Sequence, residues 1–200
     1  MQRIAGSFGW PFHAPLRSWM AGSICVLGLP LLFIPLLGYA IAATRSEEPP
    51  RWALTARLLS DGFWTALVIT LTALPFGIAF LVLRPMRDGT VGAVGTIFAL
   101  VLVWGLFVLL VLPHSTASFA SSGDPRDLFD FAASARRVRA DFATWNVVVA
   151  AIVSAWAIGL ACAALLCVGV VPGIFYAILV SAHATSALGG KSPGPDSSAR

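Results

Sequence analysis

Residues 124–188 read DPRDLFDFAASARRVRADFATWNVVVAAIVSAWAIGLACAALLCVGVVPGIFYAILVSAHATSAL, and this stretch decides the fold class. From Trp145 to Cys167 the chain carries no charged side chain. About 20 apolar residues suffice to cross a hydrocarbon core of ~30 Å, so this segment predicts a transmembrane helix. Residues 168–173 predict a tight turn, and residues 174–188 are apolar enough to return across the membrane. The stretch therefore predicts a transmembrane helical hairpin.

Composition extends this prediction to the whole chain. The 200 residues are 58% hydrophobic and 11% charged, which excludes an ordinary soluble domain. Several long apolar runs predict an all-α integral membrane protein with a single helical membrane domain over residues 1–188. Residues 189–200 are polar and rich in Gly, Pro and Ser, so we expect a disordered tail there.

The apolar run at residues 16–44 has two interpretations. As one helix it would be roughly 43 Å long, which is more than one span needs and too little for two. It is either one long kinked helix or a short re-entrant hairpin. Helix breaks are predicted in this run and in the last hairpin, at Gly28, Pro30, Pro35, Pro172 and Gly173.

The distribution of basic residues favours the hairpin. With a hairpin there are about six membrane segments, and both termini share one side. Of the 13 Lys and Arg residues, only Arg84 and Arg87 then lie on the opposite side. The positive-inside rule therefore predicts a multi-pass protein of a prokaryotic cell (plasma) membrane with cytoplasmic termini.

Two amphipathic helices are predicted at the membrane surface. In the first, Asp124 is the N-cap, and Ser134 lies on the polar side. Its apolar stripe comprises Leu128, Phe131, Ala135, Val138 and Phe142. The second has a stripe of Trp52, Ala56, Leu59 and Phe63. We expect the basic residues of these helices to lie among lipid phosphates, namely Arg57, Arg136, Arg137 and Arg139. A soluble-type helix packed on the protein is the alternative. Nucleic acid is not an expected partner, since no further basic or aromatic array accompanies these helices.

Small residues recur every four positions in the segment after Trp145. They are Ala151, Ala155, Gly159 and Ala163. Such spacing lets two helix backbones approach closely in lipid, so we interpret this face as a helix-packing seam or a subunit contact. General alanine richness is the alternative.

Catalytic chemistry is not indicated, because the centres of the predicted spans contain no ionisable group. We expect neither enzymatic activity nor a cofactor. His114 and His183 are weak candidates for a metal or haem site, and interfacial histidines bonded to backbone or water are the favoured interpretation.

Three stretches carry a family resemblance. They are residues 29–39 (LPLLFIPLLGY), residues 49–52 (PPRW) with residues 59–62 behind them, and residues 127–131 (DLFDF). In these the chain resembles an uncharacterised family of bacterial and archaeal membrane proteins, domain of unknown function 4013. The resemblance implies a multi-span helical protein and no particular activity.

Charge-free spans, the small-residue seam and the surface helices together favour one function. We expect a non-enzymatic scaffold or an accessory subunit of a membrane complex, embedded in the lipid bilayer and joined to copies of itself or to another membrane protein. The alternative is a small permease or a lipid- or solute-handling module, since helices interrupted by Gly and Pro are typical of transporters.

Overall fold

A computed structural model describes residues 2–28, 33–83, 89–165 and 169–189, with side chains left out at 2–3, 89–91 and 163–165. The α-helices are α1 (Gln2–Gly6), α2 (Leu16–Leu27), α3 (Phe33–Arg45), α4 (Ala56–Val82), α5 (Gly89–Ser122), α6 (Phe131–Ala140), α7 (Phe142–Leu165) and α8 (Val170–Thr185). Two 3-10 helices cover Trp10–His13 and Pro125–Leu128. All regular structure in these ranges is helical, which confirms the all-α prediction. The predicted tail falls almost entirely outside the described ranges.

Three helices are long and apolar enough to cross a bilayer. They are α4, α5 and α7, with candidate spans at Ala56–Val82, Gly92–Ser122 and Phe142–Cys162. At 1.5 Å per residue, each exceeds the ~30 Å of the hydrocarbon core. Helices α2, α3 and α8 are also apolar but shorter. This set of helices confirms a helical membrane protein.

The run at residues 16–44 forms two helices. Helix α2 ends at Leu27 and α3 begins at Phe33, with 12 and 13 residues respectively. Each is about 18–20 Å long, too short to cross the hydrocarbon core alone. In the described residues the run is therefore two helices, and α2 ends at its C-cap, Gly28.

The largest core cluster lies between α2, α3 and α8. Tyr39, Leu36, Phe175 and Leu179 are all at most 1% exposed there. Gly22 of α2 makes room for Phe175, since a Cβ at Gly22 would collide with that ring. Aromatic and aliphatic side chains thus pack together between α2, α3 and α8.

The predicted second amphipathic helix is not a separate element. Residues 46–55 carry no regular helix, and Ala56 begins the long helix α4. Leu59 and Phe63 of the predicted stripe are exposed, whereas Leu58 and Asp61 are buried. The prediction missed this buried face because the face contains Asp61. An apolar-stripe pattern assigns charged residues to the exposed side of a helix.

The first predicted amphipathic helix is divided in two. Asp124 caps the short 3-10 helix, where its carboxylate accepts the Arg126 N–H, and Asp130 caps α6 by accepting the Ala133 N–H. Gly123 adopts a positive φ of 76° at the end of α5 and makes this tight turn possible. Ser134, predicted on the polar face, is instead 2% exposed.

Candidate functional site

A partly buried ion pair joins the ends of three helices. Arg45, the last residue of α3, pairs with Asp61 of α4. The Arg45 Nε donates a hydrogen bond to the Ala120 carbonyl of α5 at 2.9 Å, and the guanidinium lies 5.4 Å from the ring centroid of Phe119. Removing one partner from a buried pair leaves an uncompensated charge, which costs about 3–5 kcal/mol. The pair therefore fixes α3, α4 and α5 relative to one another.

Sequence reasoning missed this pair. Asp61 lies outside the apolar stripe predicted for residues 52–63, and Arg45 precedes that stripe. The available signal was the position of two opposite charges near the facing ends of consecutive apolar segments. Close approach of these helices reinforces the pairing, because Gly38 of α3 and Gly62 of α4 lie where a Cβ would meet the partner backbone.

Polar contacts attach α6 to the end of α5. The hydroxyls of Ser115 and Ser134 lie 3.0 Å apart in a buried position, and Arg137 donates a hydrogen bond to the Ser118 hydroxyl. Phe107 packs edge to face on Phe131 with ring centroids 6.0 Å apart. In these three contacts the residue numbers increase together along α5 and α6, so α6 runs parallel to α5.

Helix α7 contacts α5 at a backbone carbonyl that lacks its usual hydrogen-bond donor, because a proline lies four residues later in α5. Pro113 lies inside α5 and has no N–H to donate to the Leu109 carbonyl, four residues earlier. The indole Nε1 of Trp145 in α7 donates to that carbonyl at 3.3 Å. This bond satisfies a backbone acceptor that would otherwise be costly to leave unpaired in an apolar region.

The two candidate histidines lie in different surroundings. His183 of α8 forms a buried hydrogen bond of 2.9 Å between its Nδ1 and the Ser7 hydroxyl, and stacks on Trp10 with ring centroids 4.7 Å apart. His114 of α5 is 4% exposed, next to the Ser115–Ser134 contact. Across the described ranges, no three His, Cys, Asp or Glu side chains converge as a metal site. His183 thus attaches the N-terminal segment to α8.

The predicted packing seam faces α8 within the same chain. Ala151 packs in a cluster with Val148, Ile152 and Ala184, and Ala155 packs against Ala177 and Val180. At Gly159 a Cβ would lie 2.5 Å from the carbonyl oxygen of Gly173. The side chain of Ala163 lies outside the described residues. Where it is described, the small-residue face is therefore occupied by α8.

The predicted helix breaks take different positions. Gly28 is the residue that follows α2, and Pro30 lies outside the described residues. Pro35 lies in the first turn of α3, and Pro172 and Gly173 lie in the first turn of α8. The first turn leaves N–H groups unpaired in any helix, so proline is tolerated there.

The predicted membrane-surface arginines are all exposed. Arg57 lies at the start of α4, and Arg136, Arg137 and Arg139 lie on α6. Within the described residues, Arg136 and Arg139 form no ion pair with an acidic side chain.

The far halves of α4 and α5 form a projecting pair of helices, here called the arm and defined as residues 71–82 and 92–110. Phe98 is 68% exposed, and Leu81 and Leu106 are at least 60% exposed. Only 6% of the most apolar window of α5 is buried, against 28% for α7. Such surface is unfavourable in water and requires lipid or another protein to cover it.

Comparison with known proteins identifies one family. The family model described as protein of unknown function (DUF4013) matches residues 21–180. The chain belongs to this family. The match extends from α2 into α8, so the ion pair, α6, the arm and the seam of this DUF4013 member all lie within it. Neither the curated proteins nor the solved structures gave a match.

Proposed function

We propose that this protein is a non-enzymatic scaffold or accessory subunit of a prokaryotic membrane complex. The observation that carries the proposal is the arm, which presents apolar side chains outward along both of its helices. A helix pair that contributes so little to the core of its own chain is well suited to contact another membrane protein or a second copy.

Packing inside the rest of the molecule supports the same role over that of a small permease. A solute pathway between the broken hairpins would require a polar cavity that reaches mid-membrane. The corresponding space holds Tyr39, Phe175 and Leu179, each fully or almost fully buried. A cavity of about 530 Å³ does lie beside this cluster, between Trp19, Ile158 and Pro172, but its lining is almost wholly apolar and so does not suit a polar solute. An interior without a polar cavity, beside an uncovered exterior, favours a protein that works through its surface.

The orientation with cytoplasmic termini belongs to this proposal. The Trp10 indole donates to the Glu47 carbonyl at 2.7 Å, so the N-terminal segment and the α3–α4 connector are in direct contact. Cysteines introduced at Gly6 and Ser46 should therefore react with an impermeant maleimide from the same side of the membrane. Reaction from opposite sides would contradict the proposed topology.

Site-specific cross-linking tests the scaffold role. A photo-reactive amino acid at Leu102 in the arm should give one protein adduct of defined mass in native membranes. The matched position Leu160 of α7, 57% exposed and equally apolar, should give lipid adducts alone. Lipid adducts alone at both positions, together with a monomer in mild detergent, would contradict the scaffold role.

A further inference from the structure

Two adjoining cavities lie along the arm, and together they are here called the groove. Their volumes are about 310 and 390 Å³, and they share Phe76 of α4. The α5 wall is formed by Ile97, Leu100, Trp104 and Phe107, which recur at steps of three and four and so lie on one helix face. The first cavity lies between α4 and α5, the second lies between α4, Phe107 and the segment of Phe129 and Phe131, and the two adjoin at Phe76.

The length of the groove matches one leaflet of a bilayer. From Ile97 to Phe107 the helix rises about 15 Å, which is half of the ~30 Å hydrocarbon thickness. The lining is almost wholly apolar, and the Thr72 hydroxyl is already bonded to the Ile69 carbonyl at 2.8 Å. This shape and chemistry suit an extended hydrocarbon chain.

One end of the groove meets the segment that carries the exposed arginines. Phe129 and Phe131 close that end, and α6 continues from there in the same direction as α5. Arg137 contacts Ser118, about 16 Å beyond Phe107 along the axis of α5. Basic side chains therefore lie beyond the end of the apolar groove. A phospholipid has the same arrangement, with its phosphate beyond the end of its acyl chain.

We propose that the groove binds one acyl chain of an anionic phospholipid from the leaflet on the α6 side. Arg136 and Arg139 would then neutralise its phosphate. Both side chains are exposed and form no ion pair within the described residues. A helix of a second copy would fill the groove but would leave these two cations unmatched. The proposal goes beyond the scaffold role and does not depend on it.

Photo-labelling of the full-length protein in lipid nanodiscs tests the groove. The probes are phosphatidylglycerol and phosphatidylcholine, each with a diazirine on one acyl chain, and adducts are mapped by mass spectrometry. We expect adducts at Phe76, Trp104 and Phe107 and a preference for phosphatidylglycerol of roughly fivefold, because each arginine near the surface adds to the attraction.

Two glycines of the arm supply a matched pair of variants. A Cβ at Gly77 or at Gly95 would meet nothing within 4 Å, but only Gly77 lines the groove. Gly77→Trp should reduce groove adducts about fivefold by filling the cavity, and Gly95→Trp should leave them within about twofold. An equal loss in both variants would overturn the proposal.

The arginines give a second test that does not disturb the fold. Arg136→Gln/Arg139→Gln should abolish the preference for phosphatidylglycerol and retain groove labelling by phosphatidylcholine. The proposal is overturned if adducts spread evenly over the outer faces of α4 and α5. It is equally overturned if the groove residues cross-link to a second copy instead of to lipid.

Discussion

The arm and the rest of the molecule, here called the body, are stabilised in different ways. The body buries polar groups in pairs: Arg45 with Asp61, Ser115 with Ser134, and Ser7 with His183. The arm has almost no buried polar contacts and leaves Phe98 and Leu106 at least 60% exposed. Internal contacts thus specify the structure of the body, whereas surroundings outside the chain must stabilise the arm.

Loss of the partly buried ion pair should have one of the two largest effects. Asp61→Leu should lower the free energy of unfolding by about 3–5 kcal/mol, because the Arg45 guanidinium remains buried without its partner. Thermal unfolding in detergent can be followed by labelling of the buried Cys25 thiol, with Cys162 and Cys167 replaced by serine. Arg45→Met/Asp61→Leu should recover most of the loss, and the exposed control Arg57→Met should change little. A double variant no more stable than Asp61→Leu would refute the pairing.

Aromatic truncation compares the body and the arm directly. Phe175→Ala should cost about 3–5 kcal/mol, since the ring is fully buried against Tyr39 and Trp19. Phe98→Ala in the arm should change stability in detergent by no more than about 0.5 kcal/mol. The same unfolding assay measures both variants. Similar losses for the two would show that the arm is packed as firmly as the body.

Glycine-to-alanine substitutions compare how closely helix backbones pack in the body and in the arm. Gly159→Ala should cost about 1–3 kcal/mol, because the new methyl group would force α7 and α8 apart at Gly173. Gly95→Ala has open space and should be neutral or slightly stabilising, since alanine favours a helix by up to about 1 kcal/mol. The midpoint of thermal unfolding measures both. The seam between α7 and α8 would be in doubt if Gly159→Ala were also neutral.

The smallest expected effect concerns the bond between α7 and α5. Trp145→Phe removes the donor to the Leu109 carbonyl and should cost about 1 kcal/mol. Trp156→Phe is the control, since Trp156 is 38% exposed on the same helix. A larger effect at Trp156 would mean that the indole bond to Leu109 is unimportant.

The sequence predicted the parts of this fold that depend on the bilayer alone. Apolar runs of sufficient length indicated the long spans, and Gly28, one of the predicted helix breaks, is the C-cap of α2, because both follow from segment length and local chemistry. The orientations of α4 and α6 were not predicted. There, Asp61 and Ser134 are buried by partners on other helices, and a periodicity search places any polar residue on the outer face.

The candidate site was harder to predict for the same reason. Gly159 and Ala155 could be recognised because small residues at steps of four have a local signature. The partner of Arg45 is set by contacts among three helices, and the groove of the arm is set by how α4 and α5 pack. Such features depend on how the helices pack in the tertiary structure, which the spacing of residues within one segment does not indicate.

The division between body and arm is tested most directly by measuring what surrounds the arm. Spin labels at Phe98 and Leu102 in nanodiscs should collide often with molecular oxygen, which concentrates in lipid, and rarely with a water-soluble nickel chelate. A label at Arg136 on α6 should show the opposite ratio. If the nickel chelate reached Phe98 and Leu102 as readily as Arg136, the arm would lie in water, and the division between body and arm would be contradicted.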